Sequence, residues 1–294
     1  MLCPVCFLEC EDLAGLARHF QQEASRSQNY HVMFLNRYIS KDKLNVEDLE
    51  NKFYDLFLMK NGFRDWVIGK FIWRFFGGAP HPFVLENQNP RPYLIRGYAM
   101  EHHHFLWQWV RSCSYIIGNS DNDDVVQYEC ENIVSEWYGT ERVLSHHELL
   151  LRMGEAYGLR REDILRSTPL PATARAIKFW SDTCKERTWQ EGMSAMHSLE
   201  IIANRNIREY GGNIGYFDPA IMKGEDIKQE AKEFLKEGYL ADVSHSERAL
   251  MIVEKYSTKE ILQNCQSVFI RSMEYFYDYL LARMERGMIL ENKQ

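Results

Sequence analysis

Residues 91–118 read RPYLIRGYAMEHHHFLWQWVRSCSYIIG, and this stretch decides the fold. It is long, rich in aromatic and aliphatic residues, and runs without a breaker to Gly118, so it predicts one long helix. The same pattern continues outward from it. After a polar turn at 119–124 (NSDNDD), a strong supply of N-cap residues, come VVQYECENIVSEWYG and SHHELLLRMGEAYG, the latter closed by Gly158 as a C-cap. A loop at 167–171 (STPLP) precedes ATARAIKFWSDTCKE, WQEGMSAMHSLEIIANRNIREYGG, one or two helices over 224–256, and a last helix to Gly287. Upstream, the neighbourhoods of 47–60 and 62–76 read as amphipathic helices, the second stopped by Gly77-Gly78-Ala79-Pro80. Strand-like alternation is nearly absent, so the expectation is an all-α chain with no sheet larger than a hairpin.

Composition narrows the function classes. The 294 residues are 45 % hydrophobic, 13 % aromatic and 26 % charged, enough to bury a sizeable core. The formal charge of −7 argues against a nucleic-acid backbone as main partner. No apolar run is long enough for a membrane span, and MLCPVCFLECEDL lacks the pattern of a signal peptide. A cytoplasmic location is therefore expected. In such a reducing compartment clustered cysteine more often means metal than disulfide.

Three of the seven cysteines lie within the first ten residues. Cys3-Pro-Val-Cys6, then twelve residues, then His19, is three-quarters of a C2H2 zinc finger: two thiolates on a tight knuckle and an imidazole on the following helix give three corners of a tetrahedron. Leu13 and Leu16 would form its small core. Gln22, Glu23 and Ala24 stand where the second histidine usually comes, so His31 is the choice for the fourth ligand, with Cys10 as the weaker alternative. The start of the finger helix is acidic, which points to a structural or protein-contact role rather than DNA reading. The expected organisation is a zinc-binding module at 1–40, a helical connector at 41–77 and a helical domain at 78–294, each of the outer two with its own core.

In the main body, Glu101 and His104 stand three apart on the long helix and share a face, whereas His102 and His103 point elsewhere. Asp242 and His245 repeat the spacing, and so do His197 and Glu200. Carboxylate–histidine pairs facing inward on separate helices are how helical bundles build non-heme iron or manganese sites, and the absence of thiolate from the pairs suits those metals. A helical chain with 42 acidic residues and ten histidines shows one such pair by chance. Three pairs, one of them on an apolar helix, favour a metal.

These residues and their order resemble the heme-oxygenase-like diiron oxidases, relatives of the TenA thiaminases and the pyrroloquinoline-quinone synthase, over roughly residues 78–285. HPFVLENQ (81–88), NIVSEWYG with SHHELLLRMGEAYGL (132–159) and GYLADVSHSE (238–247) carry the resemblance. It implies a heme-oxygenase-like helical bundle whose metal ligands are Glu101 and His104 on a first helix, Glu200 on a middle one, and Asp242 and His245 on the last. The family's last helix carries H-x3-D-x2-H, and its first histidine falls here on Gly238, which cannot ligate. His197, a water, Tyr239 or Glu237 would have to substitute, or the second metal is held weakly. The cysteine-nucleophile branch of the fold finds Cys113, Cys130 and Cys184 available, with no spacing that favours any of them.

The resemblance implies an O2-dependent non-heme iron oxidase or oxygenase acting on a small organic substrate, with one or two iron ions, manganese as a variant, and a structural zinc. The alternative is a non-enzymatic binding or regulatory protein with a degraded metal site. A homodimer, or a protein partner docking through the zinc module, is compatible with either. The sequence does not choose a substrate.

Overall fold

A computed structural model describes residues 1–141 and 143–292, without the side chains of 239–245. Short polar residues set the first boundaries. The Asp12 side chain accepts from Gly15 N and opens α1 (Leu13–Ser25); α2 (Asn29–Tyr38) follows. Asn45 caps α3 (Val46–Phe57), and α4 (Phe63–Phe76) starts after Gly62. Proline begins α5 (Pro82–Glu86) and the long α6 (Pro92–Gly118), where its missing N–H has no helical partner to lose. Asn122 caps α7 (Asp123–Ile133), which runs into a π-helical turn, Val134–Tyr138. Ser145 caps α8 (His146–Ala156). Then come α9 (Arg161–Leu165), α10 (Pro171–Glu186) and α11 (Trp189–Met196), the last begun by a capping box between Thr188 and Glu191. The chain ends with α12 (Gln229–Lys255) and α13 (Lys259–Glu291).

The all-α expectation holds. Among the described residues the β structure is one antiparallel bridge between Leu2 and Glu9. One element differs. The stretch expected as a single helix from 189 to 212 stops at Met196, tightens to a 3-10 segment over His197–Ala203, and continues as turns. Among the described residues no helix is long and apolar enough to cross a membrane.

Helices α6 and α13 form the central pair, with α10 and α11 laid against α13 and α8 facing α12. The α6–α13 crossing is so close that a Cβ on Gly97 would meet the carbonyl oxygen of Arg283 at 2.0 Å, and one on Gly287 would meet that of Tyr93 at 2.3 Å. Only glycine permits this approach.

The N-terminal module does not have a core of its own. Phe20 of α1 packs its ring on Phe34 and Phe53, and the aromatic contacts run on through Phe57 and Trp66 to Phe269 of α13. Phe7 stacks on Phe179 of α10 at 6.0 Å, and Ser267 Oγ donates to the Leu2 carbonyl at 2.6 Å. The expectation of separate cores is thereby overturned. A single finger has too few apolar residues to bury Leu16 and Phe20 completely, so α3 and the body supply the missing surface.

Candidate functional site

The cysteine cluster assembles as a tetrahedral set. The bridge Leu2–Glu9 and the Phe7 N to Cys3 O bond fold the Cys3–Cys6 knuckle, α1 delivers His19 and α2 delivers His31. Cys3 Sγ lies 3.6 Å from His31 Nε2, Cys6 Sγ lies 3.3 Å from His19 Nε2, and the two Nε2 atoms are 3.1 Å apart. All four ligand atoms fall within 4.8 Å of one another. Zinc bonds of about 2.3 Å to sulfur and about 2.0–2.1 Å to nitrogen require edges of about 3.6 Å for S–N and about 3.3 Å for N–N at tetrahedral angles. The residues fit the ion. The Val5 N–H also points to Cys3 Sγ at 3.4 Å, as expected for a sulfur carrying negative charge.

The second site is a cavity within the helical body. Its walls are mostly apolar, with Phe105 and Trp109 on α6, Phe234 on α12 and Phe276 on α13 among aliphatic side chains such as Leu106, Leu199 and Leu235. Into it project Glu136 from the π-helical turn, His146 from the first turn of α8, Glu200 from the 3-10 segment, His102 from α6 and Arg283 from α13. Local geometry brings the first two together. Gly139 turns the chain at φ +68°, where a Cβ would meet Ser145 N at 2.6 Å, and the Ser145 cap fixes His146 at the start of α8. His146 Nδ1 then lies 2.8 Å from Glu136 Oε1. Glu136 Oε2 is buried with no hydrogen-bond partner among the described residues.

Behind Glu200 lies a buried network. In the 3-10 segment residues three apart eclipse one another, so His197 Nδ1 stands 3.6 Å from Glu200 Oε2. His197 Nε2 is 2.8 Å from Glu129 Oε1, and the Tyr128 hydroxyl reaches His197 Nδ1 at 3.2 Å and Glu200 Oε2 at 3.5 Å. Burial pushes His197 downward, but Glu129 and then Glu200 outweigh it and raise it to about 10. The ring is an imidazolium at neutral pH, bracketed by two carboxylates.

On the opposite wall Arg283 Nη2 donates to His102 Nδ1 at 2.9 Å and to the Tyr279 hydroxyl at 2.8 Å, while Tyr279 and His102 Nδ1 are 2.7 Å apart. A guanidinium only donates, so Nδ1 is unprotonated and the ring carries its hydrogen on Nε2. Burial, reinforced by the Arg283 charge, holds His102 well below the ordinary histidine range and keeps it neutral.

The expected ligands divide. Glu200 lines the cavity and His197 supports it. Asp242 and His245 lie outside the described side chains. Glu101 and His104 do not join Glu200. Glu101 is fully buried but accepts from Arg286 Nε at 2.6 Å and Leu170 N at 3.1 Å, and His104 Nε2 bonds Ser167 Oγ at 2.9 Å. The reason is rotational. At about 100° per residue, the cavity-facing side chains of α6 centre on His102, from which Glu101 is turned by about 100° and His104 by about 160°. His102 thus faces the cavity, against the expectation that it points elsewhere. The sequence reading also passed over Glu136, His146 and Arg283. The one signal for them is the SHHE start of α8 following the acidic turn, which places a histidine and a glutamate near each other in the chain without saying that they face a cavity. Cys113 and Cys184 are buried with their thiols pushed up by burial, Cys130 is exposed, and none of the three lines the cavity.

Comparison with known proteins agrees with both units. The model of the TENA/THI-4/PQQC family matches residues 69–287, and one copy of a C2H2 type zinc-finger model matches residues 1–58. The fold is similar to that of a domain of unknown function with a heme oxygenase-like fold from Shewanella denitrificans (17 % identity, TM-score 0.56, covering 85 % of this chain and 96 % of that one). It is also similar to a TenA homologue from P. horikoshii (16 %, TM-score 0.61, 76 % and 99 %). A TenA family transcription regulator from a Silicibacter species matches at 12 % identity and TM-score 0.57, covering 76 % and 96 %. No match was found among curated proteins.

Proposed function

The chain belongs to the TENA/THI-4/PQQC family, and on that premise we propose that its cavity is the active site of an O2-dependent oxidase of a small organic substrate, with iron, or manganese, held by Glu136, His146 and Glu200 together with Asp242 and His245. The observation that carries this reading is the delivery of Glu136, His146 and Glu200 into one apolar-walled cavity by three separate elements, with a Glu136 oxygen left unbonded among the described residues. Carboxylate and imidazole donors without thiolate suit iron or manganese. Asp242 and His245 enter from their spacing after Gly238, which itself lines the cavity. Iron bound there would supply the redox chemistry with O2. The chain's own residues do the rest. The imidazolium of His197 holds Glu200 in place, the apolar walls exclude water, and the His146–Glu136 contact orients the imidazole.

The test is anaerobic loading of the full chain with Fe(II), followed by metal analysis and O2 uptake. One zinc plus one or two iron or manganese ions, with the iron lost on Glu200→Ala and the zinc retained, is the expected result. Zinc alone overturns it. That outcome would favour the second reading, a non-enzymatic binding or regulatory protein. Its support is Gly238, which stands in the cavity where the resemblance calls for a histidine. A structural relative also carries the description of a transcription regulator.

A further inference from the structure

Helix α2 carries His31 on its buried side and an uncovered stripe on its outer one. Tyr30, Met33 and Arg37 follow at i, i+3 and i+7 and so share a face. Tyr30 is 68 % exposed and Met33 51 %, where large apolar groups at that spacing ordinarily pack inward. The stripe borders a groove between the finger and the body, whose far wall is Arg175 of α10 with Arg271, Glu274, Tyr275 and Asp278 of α13. Past Tyr38 the groove meets a second hollow. There the Tyr38 ring stands 5.4 Å from Trp73 of α4, itself 51 % exposed. Gly69 lines the same hollow, and a Cβ on it would meet nothing within 4 Å. The groove also departs from the chain in charge. Glu274 is already held by Arg37 and, at 2.9 Å, by Arg74. Arg271 has no carboxylate within ion-pair distance among the described residues; its guanidinium lies 4.7 Å from the Tyr275 ring centroid and donates to that hydroxyl at 3.2 Å. Arg175 is exposed and likewise unpaired among the described residues. With Arg74 counted, four arginines face Glu274 and Asp278, in a chain of formal charge −7. Asp65 and Lys70 of the second hollow cancel.

We propose that this groove docks an acidic segment of a partner protein, with carboxylates meeting Arg271 and Arg175 and a leucine or aromatic side chain seated over Gly69 beside Trp73. Tyrosine, tryptophan, methionine and arginine are the residue types enriched in protein interfaces, and a methionine adapts its shape to the side chain laid on it. The charge selects the partner's sign. A nucleic acid fits less well, since two unpaired arginines on an acidic chain neutralise few phosphates. His31 and the stripe ride on one helix, so the zinc site fixes where the stripe stands. The inference holds whether or not the cavity is catalytic.

A displayed library of random short peptides, selected on the zinc-loaded full-length protein, supplies the probe. The strongest binder is then made with a fluorescein label and titrated by anisotropy. Selected sequences should be rich in Asp and Glu together with Leu, Phe or Trp. The double variant Arg175→Gln/Arg271→Gln should weaken the titrated peptide at least about tenfold, and so should Gly69→Leu, which fills the hollow. Gly69→Leu lies in open space on a helix and replaces a poor helix former, so it tests the groove in a folded chain even if the arginine variant does not fold. Neutral or basic selected sequences, no selected sequence, or binding that survives either variant overturns the proposal. So does tighter binding of a single-stranded DNA oligonucleotide that competes with the peptide, or self-association of the wild-type chain in sedimentation that Gly69→Leu abolishes. Those two results would make the occupant a nucleic acid or a second copy of this chain.

Discussion

The Cβ that Gly97 lacks would stand 2.5 Å from the backbone nitrogen of Gly287, so the two central helices touch main chain to main chain. That contact sets how α13 lies on α6, and Arg283 sits one turn from it. Gly97→Ala or Gly287→Ala should each cost about 1–3 kcal/mol through overpacking, despite alanine's better helix propensity. Because the residues touch, the double variant should cost less than the sum. Urea unfolding measures both, and wild-type stability in either single variant would show that the crossing relaxes freely.

Zinc removal should destabilise the whole chain. The finger's Phe20 and Leu2 belong to the core that includes Phe269 of α13, and Ser267 of α13 donates to the Leu2 carbonyl, so the module and body should unfold together. A strong chelator, or Cys6→Ser, should lower the main thermal transition seen by far-ultraviolet circular dichroism. A main transition that stays put while only residues 1–58 become protease-sensitive would argue for independent units.

Glu101 and Glu200 should separate cleanly in mutagenesis. Glu101→Gln breaks a pair whose carboxylate is fully buried and whose arginine side chain is 15 % exposed. A loss of about 2–4 kcal/mol is expected, somewhat below a fully buried pair, with metal content unchanged. Glu200→Gln should do the reverse, sparing most of the stability and losing the metal. Iron lost on Glu101→Gln in a protein that remains folded would return Glu101 to the ligand set.

Acid should destabilise the fold from pH 6.5 downward. His81 accepts from Phe83 N at Nδ1 and donates from Nε2 to the Tyr277 carbonyl, which only the neutral ring can do, and burial pushes it down to about 3. His104 and His147 are likewise pushed down by burial, each to about 4. The unfolded chain takes up these protons near pH 6.5 and the folded chain does not. The contribution of these three neutral histidines is therefore complete above pH 6.5 and lost as pH falls toward the folded values. His81 alone should remove on the order of 2 kcal/mol by pH 5. His81→Asn, which keeps a cap at Phe83, should flatten the slope of melting temperature between pH 5 and 6.5. An unchanged slope would remove His81 from the account.

Much of the fold was legible in residues 91–118 and their neighbours. Apolar periodicity, turn residues and caps are local signals, and they place helices within a few residues of where α3, α4, α6, α8 and α13 run. The knuckle Cys3–Cys6 with His19 was legible for the same reason, since ligand spacing is nearly a local property. His31 was reachable because so few other histidines lie close by in the chain.

The cavity was not legible in the same way. An i,i+3 spacing says that Glu101 and His104 share a face of α6; it does not say which face turns inward. That choice belongs to the packing of α13, where Gly97 and Gly287 admit one helix onto the other and leave His102 toward the cavity and Glu101 toward Arg286. The junction of Glu136 with His146 depends on a π-helical turn and a left-handed glycine, and the eclipsing of His197 with Glu200 on a helix that tightens to 3-10 form. By itself the sequence determined that this chain is a helical bundle with a cysteine–histidine metal module, because periodicity and ligand spacing act over a few residues. Only the tertiary structure decided which acids and histidines meet around the buried Arg283, because burial and helix rotation are settled by contacts between segments more than 100 residues apart, such as His102 and Arg283.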